Sequence, residues 1–299
     1  MALQYSVYIV NNMKKILILT ILLFVATGLR LYQLGAVPAS PDWDEAAIGY
    51  NAYSLLKTGR DEYGEFLPMT FRSFGDYKPP VYVYLTVPSV AVFGLNTFAV
   101  RIPSAIAGIL AVLWMYLLAG EILRLIIEET RNKKQETDVL YIQETGNQPL
   151  LEATARQSRK QGRNVSCFMC SVPGAQSFPL IAALVMAISP WHIQFSRVGF
   201  ESNVALTFVI LGAWAFLYGL RKPIWLLLSV LFFSVSMYTY HTPRVFVPML
   251  GATLLVLFWK KLLGKEPYDE GDPSVSITPW VRASALLTGV CLIPLVLMT

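Results

Sequence analysis

The sequence predicts an all-α membrane protein: a polytopic transmembrane helix bundle of about seven spans, with a long first external loop bearing juxtamembrane helices. Three observations predict it. The chain of 299 residues is 55% hydrophobic and only 14% charged, against about 25% charged in an ordinary soluble domain. Its apolar residues are gathered into long runs, several of which reach the roughly 17–25 residues that cross a bilayer as a helix. Its Lys and Arg residues fall between those runs, and unequally on the two sides.

Taken in order, the expected spans are Ile16–Leu34, Phe98–Gly120, Phe178–Gln194, Val204–Leu220, Ile224–Tyr240, Val245–Trp259 and Ala283–Met298. The first run is followed by others and has no small-residue cleavage pattern, so it reads as a retained helix rather than a signal peptide. Val81–Phe93 is also apolar, but it is short and contains Pro88. A segment of that length suits a re-entrant or interfacial position.

The positive-inside rule tests that choice. With Val81–Phe93 not crossing, sixteen basic residues share one side: Lys14 and Lys15, eight in residues 121–177, and Arg221, Lys222, Lys260, Lys261, Lys265 and Arg282. Six remain on the other: Lys57, Arg60, Arg72, Lys78, Arg197 and Arg244. The richer side is expected in the cytoplasm. The organisation is then a cytoplasmic amino terminus (1–15), two spans (16–120) around an external loop (35–97), a cytoplasmic flexible insert (121–177), and five further spans (178–299). The chain ends at or just after its seventh helix, as a fragment lacking further carboxyl-terminal spans would.

Net charge is +5. The basic residues sit where they orient a membrane protein, which argues against nucleic acid. Cys167 and Cys170 form one CxxC with no second pair, too few ligands for a zinc site. Asn164-Val165-Ser166 matches a glycosylation sequon on the cytoplasmic side. There is no phosphate-binding loop and no dinucleotide fingerprint.

The external loops gather the residues suited to chemistry. The first contains Pro41-Asp42-Trp43-Asp44-Glu45 at the start of a helical pattern, and Gly75-Asp76-Tyr77-Lys78-Pro79-Pro80 near its end. An acid at a helix start has two readings, a cap for the free amides or a catalyst; Asp42 reads as a turn residue. Lys78 stands at headgroup level, as a snorkelling anchor or as a phosphate contact. Arg101 opens the second span, Arg197 and Glu201 lie between the third and fourth, and His241 and Arg244 between the fifth and sixth. Charges at membrane depth are costly and mark functional sites by default. Asp44, Glu45, Lys78, Arg101, Arg197, Glu201, His241 and Arg244 all converge on one face.

The ordered set Asp44-Glu45, Lys78-Pro79-Pro80, Arg101-Ile102-Pro103-Ser104-Ala105 and Ser196-Arg197 with Glu201 resembles the polyprenyl-phosphate-dependent glycosyltransferases of the glycosyltransferase C fold. It is most similar to bacterial relatives of the dolichyl-phosphate-mannose protein mannosyltransferases and of the lipid A aminoarabinose transferase. The resemblance implies Asp44 as catalytic base and Lys78, with Arg197 and Arg244, as contacts for the carrier phosphate. It implies a polyprenyl-phosphate-linked sugar as donor. The acceptor is left open between protein, lipid A, glycan and glycolipid. It requires neither a nucleotide nor an obligatory metal, and it places the enzyme in a bacterial plasma membrane with its active site outside.

The chemistry suits the residues. A carboxylate accepts the acceptor's hydroxyl proton, and cations stabilise the departing lipid phosphate. One base opposite the leaving group gives inversion at the anomeric carbon. Two alternatives belong to other classes: a transporter or lipid-carrier flippase, which also uses intramembrane charge, and a truncated, inactive homologue.

Overall fold

The computed structural model describes residues 2–73, 75–145, 177–263 and 278–297. Cys167, Cys170 and the sequon lie outside them. Ten helices and one small hairpin make up the described chain. They are α1 (Ala2–Leu31), α2 (Trp43–Thr58), β1 (Phe71–Ser73), β2 (Asp76–Lys78), α3 (Pro80–Phe93), α4 (Thr97–Thr145), α5 (Phe178–Ile188), α6 (Pro190–Arg197), α7 (Glu201–Gly219), α8 (Ile224–Met237), α9 (Pro243–Leu262) and α10 (Thr278–Leu297).

Three described helices are long and apolar enough to cross a membrane: α4, α7 and α9. A fourth arises if α5 and α6 count as one span bent by 55°. The expected span Phe178–Gln194 is thus broken, at Ser189-Pro190, because the ring of Pro190 removes a helical donor and clashes with the preceding turn. The expected span Ile224–Tyr240 is a helix of 14 residues, about 21 Å long and short of a hydrocarbon core. α3 is equally short. The count of seven is therefore not reached on length and composition, while a multi-pass, membrane-embedded helical protein is.

Residues 121–145, expected as part of a flexible insert, are helical, and the rest of that expected insert up to 176 lies outside the described residues. α4 continues as one helix to Thr145. Its polar half has ion pairs one turn apart, Arg124–Glu128 at 2.8 Å and Glu129–Lys133 at 3.0 Å, the spacing at which opposite charges support a helix without an apolar face.

The structure around the first loop follows from local signals. α2 begins after Asp42, whose extended backbone (φ −75°, ψ 158°) occupies the N-cap position. It ends at Gly59, whose φ of +68° closes the last turn with an N–H bond to Leu55 O at 2.9 Å; this left-handed geometry favours glycine. Pro80 opens α3, where its missing N–H costs nothing, and Gly94 ends it. Phe71 pairs with Lys78 across the hairpin, so β2 delivers Lys78 beside α2. Ile48, Ala52 and Leu55 of α2 bury against Phe71, Tyr82, Val83, Val100 and Val204. One apolar core therefore joins the first loop to α4 and α7. Tyr82 donates to Val100 O at 3.0 Å and Ser89 to Ala99 O at 2.6 Å, tying α3 to the start of α4.

Candidate active site

Two carboxylates adjacent in sequence go to different cations. Asp44 pairs with Lys78, Oδ1 to Nζ at 2.7 Å, with the Asp44 side chain 46% exposed and that of Lys78 11%. Glu45 turns inward, and Arg101 grips it in a bidentate pair, Nε to Oε1 at 2.7 Å and Nη2 to Oε2 at 2.9 Å. Both side chains of this second pair are essentially without solvent contact.

The inner pair is a junction of elements. Glu45 also accepts the Asp42 N–H at 3.0 Å, as a residue three positions after an N-cap does, and the Gly199 N–H at 2.7 Å. Arg101 spends its remaining donors on Leu34 O, Pro38 O and Ser40 O at 2.9–3.2 Å. The link thus fastens α2, the end of α1 and the α6–α7 turn to α4. Glycine at 199 suits a close approach, since a Cβ there would lie 3.2 Å from Glu45 Cγ and 3.3 Å from Oε1 and would press on the buried carboxylate.

Burial alone pushes the Glu45 carboxyl up. The hydrogen bonds from Arg101, Gly199 and Asp42, with the charge of Arg101, outweigh it and hold the carboxyl below its ordinary value. A carboxyl lowered in the folded state adds stability that is fully present above its unfolded value and is lost as pH falls through the folded one. Thermal stability is therefore expected to fall on acidification below the ordinary glutamate range. Melting curves of Glu45→Gln should show a flatter dependence over the same interval; identical slopes would remove Glu45 as the cause.

Asp42, expected as a turn residue, holds the N-cap position, and Glu45 makes the return bond to its N–H; Asp44 has no part in the cap and is half-exposed. Glu201 opens α7 close enough to feel the charges of Lys78, Asp44 and Asp76. Its Oε1 is buried and has no hydrogen-bond partner among the described residues. An apolar cavity of about 420 Å³ opens directly after Lys78-Pro79, lined by Met69, Pro80, Val81, Tyr84 and Leu85 with Val235 and Tyr238 of α8.

Other expected contacts sit elsewhere. Arg197 donates to Leu29 O and Tyr32 O at 2.8 Å and to Val37 O at 3.2 Å, satisfying the carbonyls at the end of α1. A cation there also meets the negative end of the helix dipole. His241 is exposed, and Arg244 is directed to Met237 O at 3.4 Å. Among the described residues no hydrogen bond or ion pair joins either to Asp44 or Lys78.

Arg30 is a buried cation that the external-loop pattern does not include. It lies inside the first apolar run, is fully buried, and donates to Ala187 O and Met186 O at 3.2 Å and to His192 Nδ1 at 2.7 Å. It thus caps the end of α5 at the break, as Arg197 caps α1 in return. An arginine amid aliphatic residues was the available signal. Asn203, buried on α7, donates to Ser104 O at 2.7 Å and locks α7 to α4; nothing in the linear pattern marks it.

Residues 17–126 match the family model of the dolichyl-phosphate-mannose-protein mannosyltransferases. Over that segment the chain is similar to these membrane glycosyltransferases. The mannosyltransferase-like segment includes Asp44, Glu45, Lys78 and Arg101, and so both ion pairs; Arg197, Glu201, His241 and Arg244 lie beyond it. Neither a curated protein nor a solved structure matches the chain.

Proposed function

We propose that this protein transfers a sugar from a polyprenyl-phosphate carrier to an acceptor hydroxyl, with Asp44 as general base and Lys78 as the phosphate contact. The observation that carries the reading is the Asp44–Lys78 pair at 2.7 Å, with Asp44 half-exposed and Lys78 nearly buried, two residues before Pro80 in the wall of an apolar cavity. The cation meets the phosphate and the cavity suits the first part of an apolar chain. The name of the matching family points to mannose and to a protein acceptor.

In the reaction, the acceptor oxygen attacks the anomeric carbon while the bond to the phosphate oxygen breaks. The lipid phosphate leaves with the bonding electron pair, and the acceptor proton passes to Asp44. The ion pair links binding to catalysis: a donor phosphate competes for the Lys78 ammonium group and so releases the Asp44 carboxylate toward the acceptor hydroxyl. Attack opposite the leaving phosphate inverts the anomeric centre. Glu45 and Arg101 act through position: they fix the first turn of α2, and with it the direction of Asp44. Glu201, with an unpartnered oxygen near Lys78, is the next polar group available to a sugar hydroxyl. Arg197, His241 and Arg244 stand outside this core, at the rim.

Purified protein in proteoliposomes, given a labelled polyprenyl-phosphate sugar, should release polyprenyl phosphate and label an acceptor. Donor moved across the bilayer without cleavage would make the protein a transporter. Lys78→Ala is expected to raise KM for the donor about tenfold or more with a smaller effect on kcat, because a phosphate contact made in ground and transition states alike is uniform binding. An unchanged KM would return Lys78 to the anchor reading.

The charge bias supports an external first loop with Val81–Phe93 not crossing, and the family resemblance suits a plasma-membrane location. Ser40 is exposed and makes a suitable reporter, whereas Ser196 is fully buried and does not. Ser40→Cys in a cysteine-free background should react with a membrane-impermeant maleimide in intact cells. Reaction only after permeabilisation would invert the topology.

A further inference from the structure

A second polar layer lies far from the Asp44–Lys78 pair. Arg101 and Glu121 are twenty positions apart on α4, about 30 Å at the helical rise, which is the thickness of the hydrocarbon core. α7 runs the same way, from Glu201 at one end to Tyr218 at the other. Glu121 and Tyr218 therefore stand at the opposite membrane surface from the candidate active site.

This layer is built of rings and charges. Trp214 stacks on Tyr218 with centroids 5.3 Å apart and meets Trp225 edge-on at 5.0 Å. Arg221 lies over the Tyr218 ring at 4.7 Å and Lys222 over it at 5.7 Å. Arg221 also pairs with Glu121 at 2.5 Å, while its Nε is buried with no acceptor among the described residues. Beside these groups is a cavity of about 350 Å³ walled by Lys15, Tyr116, Glu121, Trp214, Tyr218 and Trp225.

We propose that this cavity binds the headgroup of an anionic glycerophospholipid. Lys15 lines the cavity together with one carboxylate, Glu121, which Arg221 neutralises; Lys222 lies over the Tyr218 ring of the same wall, so the neighbourhood keeps a positive surplus for a phosphodiester. The Trp and Tyr rings suit the boundary between headgroup and acyl chains, where amphipathic aromatics are enriched. Basic pockets between helices at a membrane surface attract anionic lipid, each Lys or Arg adding to the affinity. A soluble phosphate would gain the charge and nothing from the apolar wall below it. The cavity is on the far side of the bilayer from Asp44, so its occupant is a structural lipid and not the sugar donor. The proposal requires only that the helices span the membrane, and it stands whether or not sugar transfer is the activity.

The test is lipid titration of the full-length chain in detergent, read by native mass spectrometry. Phosphatidylglycerol should be retained in preference to phosphatidylcholine. The double variant Lys15→Gln/Lys222→Gln should weaken phosphatidylglycerol binding about tenfold. Lys260→Gln/Lys261→Gln, which removes two charges at the same end of the bundle but away from the cavity, should change it less than about twofold. Equal losses in the two double variants would show general charge attraction and overturn the site. The absence of any preference for phosphatidylglycerol would do the same. Inorganic phosphate added in excess should leave the lipid bound; displacement by phosphate alone would assign the cavity to a soluble anion.

Discussion

Asp44→Asn is expected to reduce turnover by at least about a hundredfold while the protein folds and inserts normally. A general base contributes roughly 10²–10⁴-fold, and the amide keeps the size of the carboxylate without its proton affinity. The structure makes the variant informative because Asp44 does not occupy the N-cap position of α2; Asp42 does, and Glu45 makes the bond back to its N–H. Losing the Asp44 charge frees the Lys78 ammonium, so donor affinity should be kept or raised. The measurement is single-turnover transfer from a labelled polyprenyl-phosphate sugar, beside a melting curve. Activity near that of the parent protein would reject Asp44 as the base. A fall in melting temperature matching the fall in activity would mean that Asp44 acts through the fold.

The largest expected effect on stability belongs to Glu45→Ala. Glu45 and Arg101 are buried together, and removing one member of a buried pair leaves the other charge uncompensated, at a cost of about 3–5 kcal/mol. The Gly199 and Asp42 N–H groups lose their acceptor at the same time. The α6–α7 turn and the start of α2 should loosen together, and activity should fall with them. Arg101→Met in the Glu45→Leu background should recover only part of the loss in melting temperature, since an apolar pair of similar bulk avoids the desolvation of both ions but leaves their backbone partners unsatisfied. It should not recover transfer activity fully, because three carbonyls that Arg101 satisfied remain without donors. A Glu45→Ala protein as stable as its parent would show that this junction does not organise the loop.

Much of the architecture was present in the linear order of residues. Long apolar runs have to be membrane helices because exposed apolar surface of that extent is not sustained in water, and the helical, multi-pass character follows from composition and run length alone. The turn signals were equally local: Pro79-Pro80 before α3 and an acid pair at the start of α2 each report the conformation of their own neighbourhood. Breaks were harder. Pro190 cut an expected span, and the polar half of α4 was read as loop although its charges are spaced to support a helix.

Which charge meets which could not be read from sequence. Asp44, Glu45, Lys78, Arg101, Arg197 and Glu201 all appeared as one outer-face set. Only packing divides them: the α2 helix turns successive side chains about 100° apart, so Asp44 looks out to Lys78 while Glu45 looks in to Arg101, and Arg197 is taken up by the end of α1. Local sequence sets the helix and its caps because those forces act within a turn. The pairing of groups 56 or 168 residues apart in the chain depends on how helices pack, and that was decided by the tertiary structure.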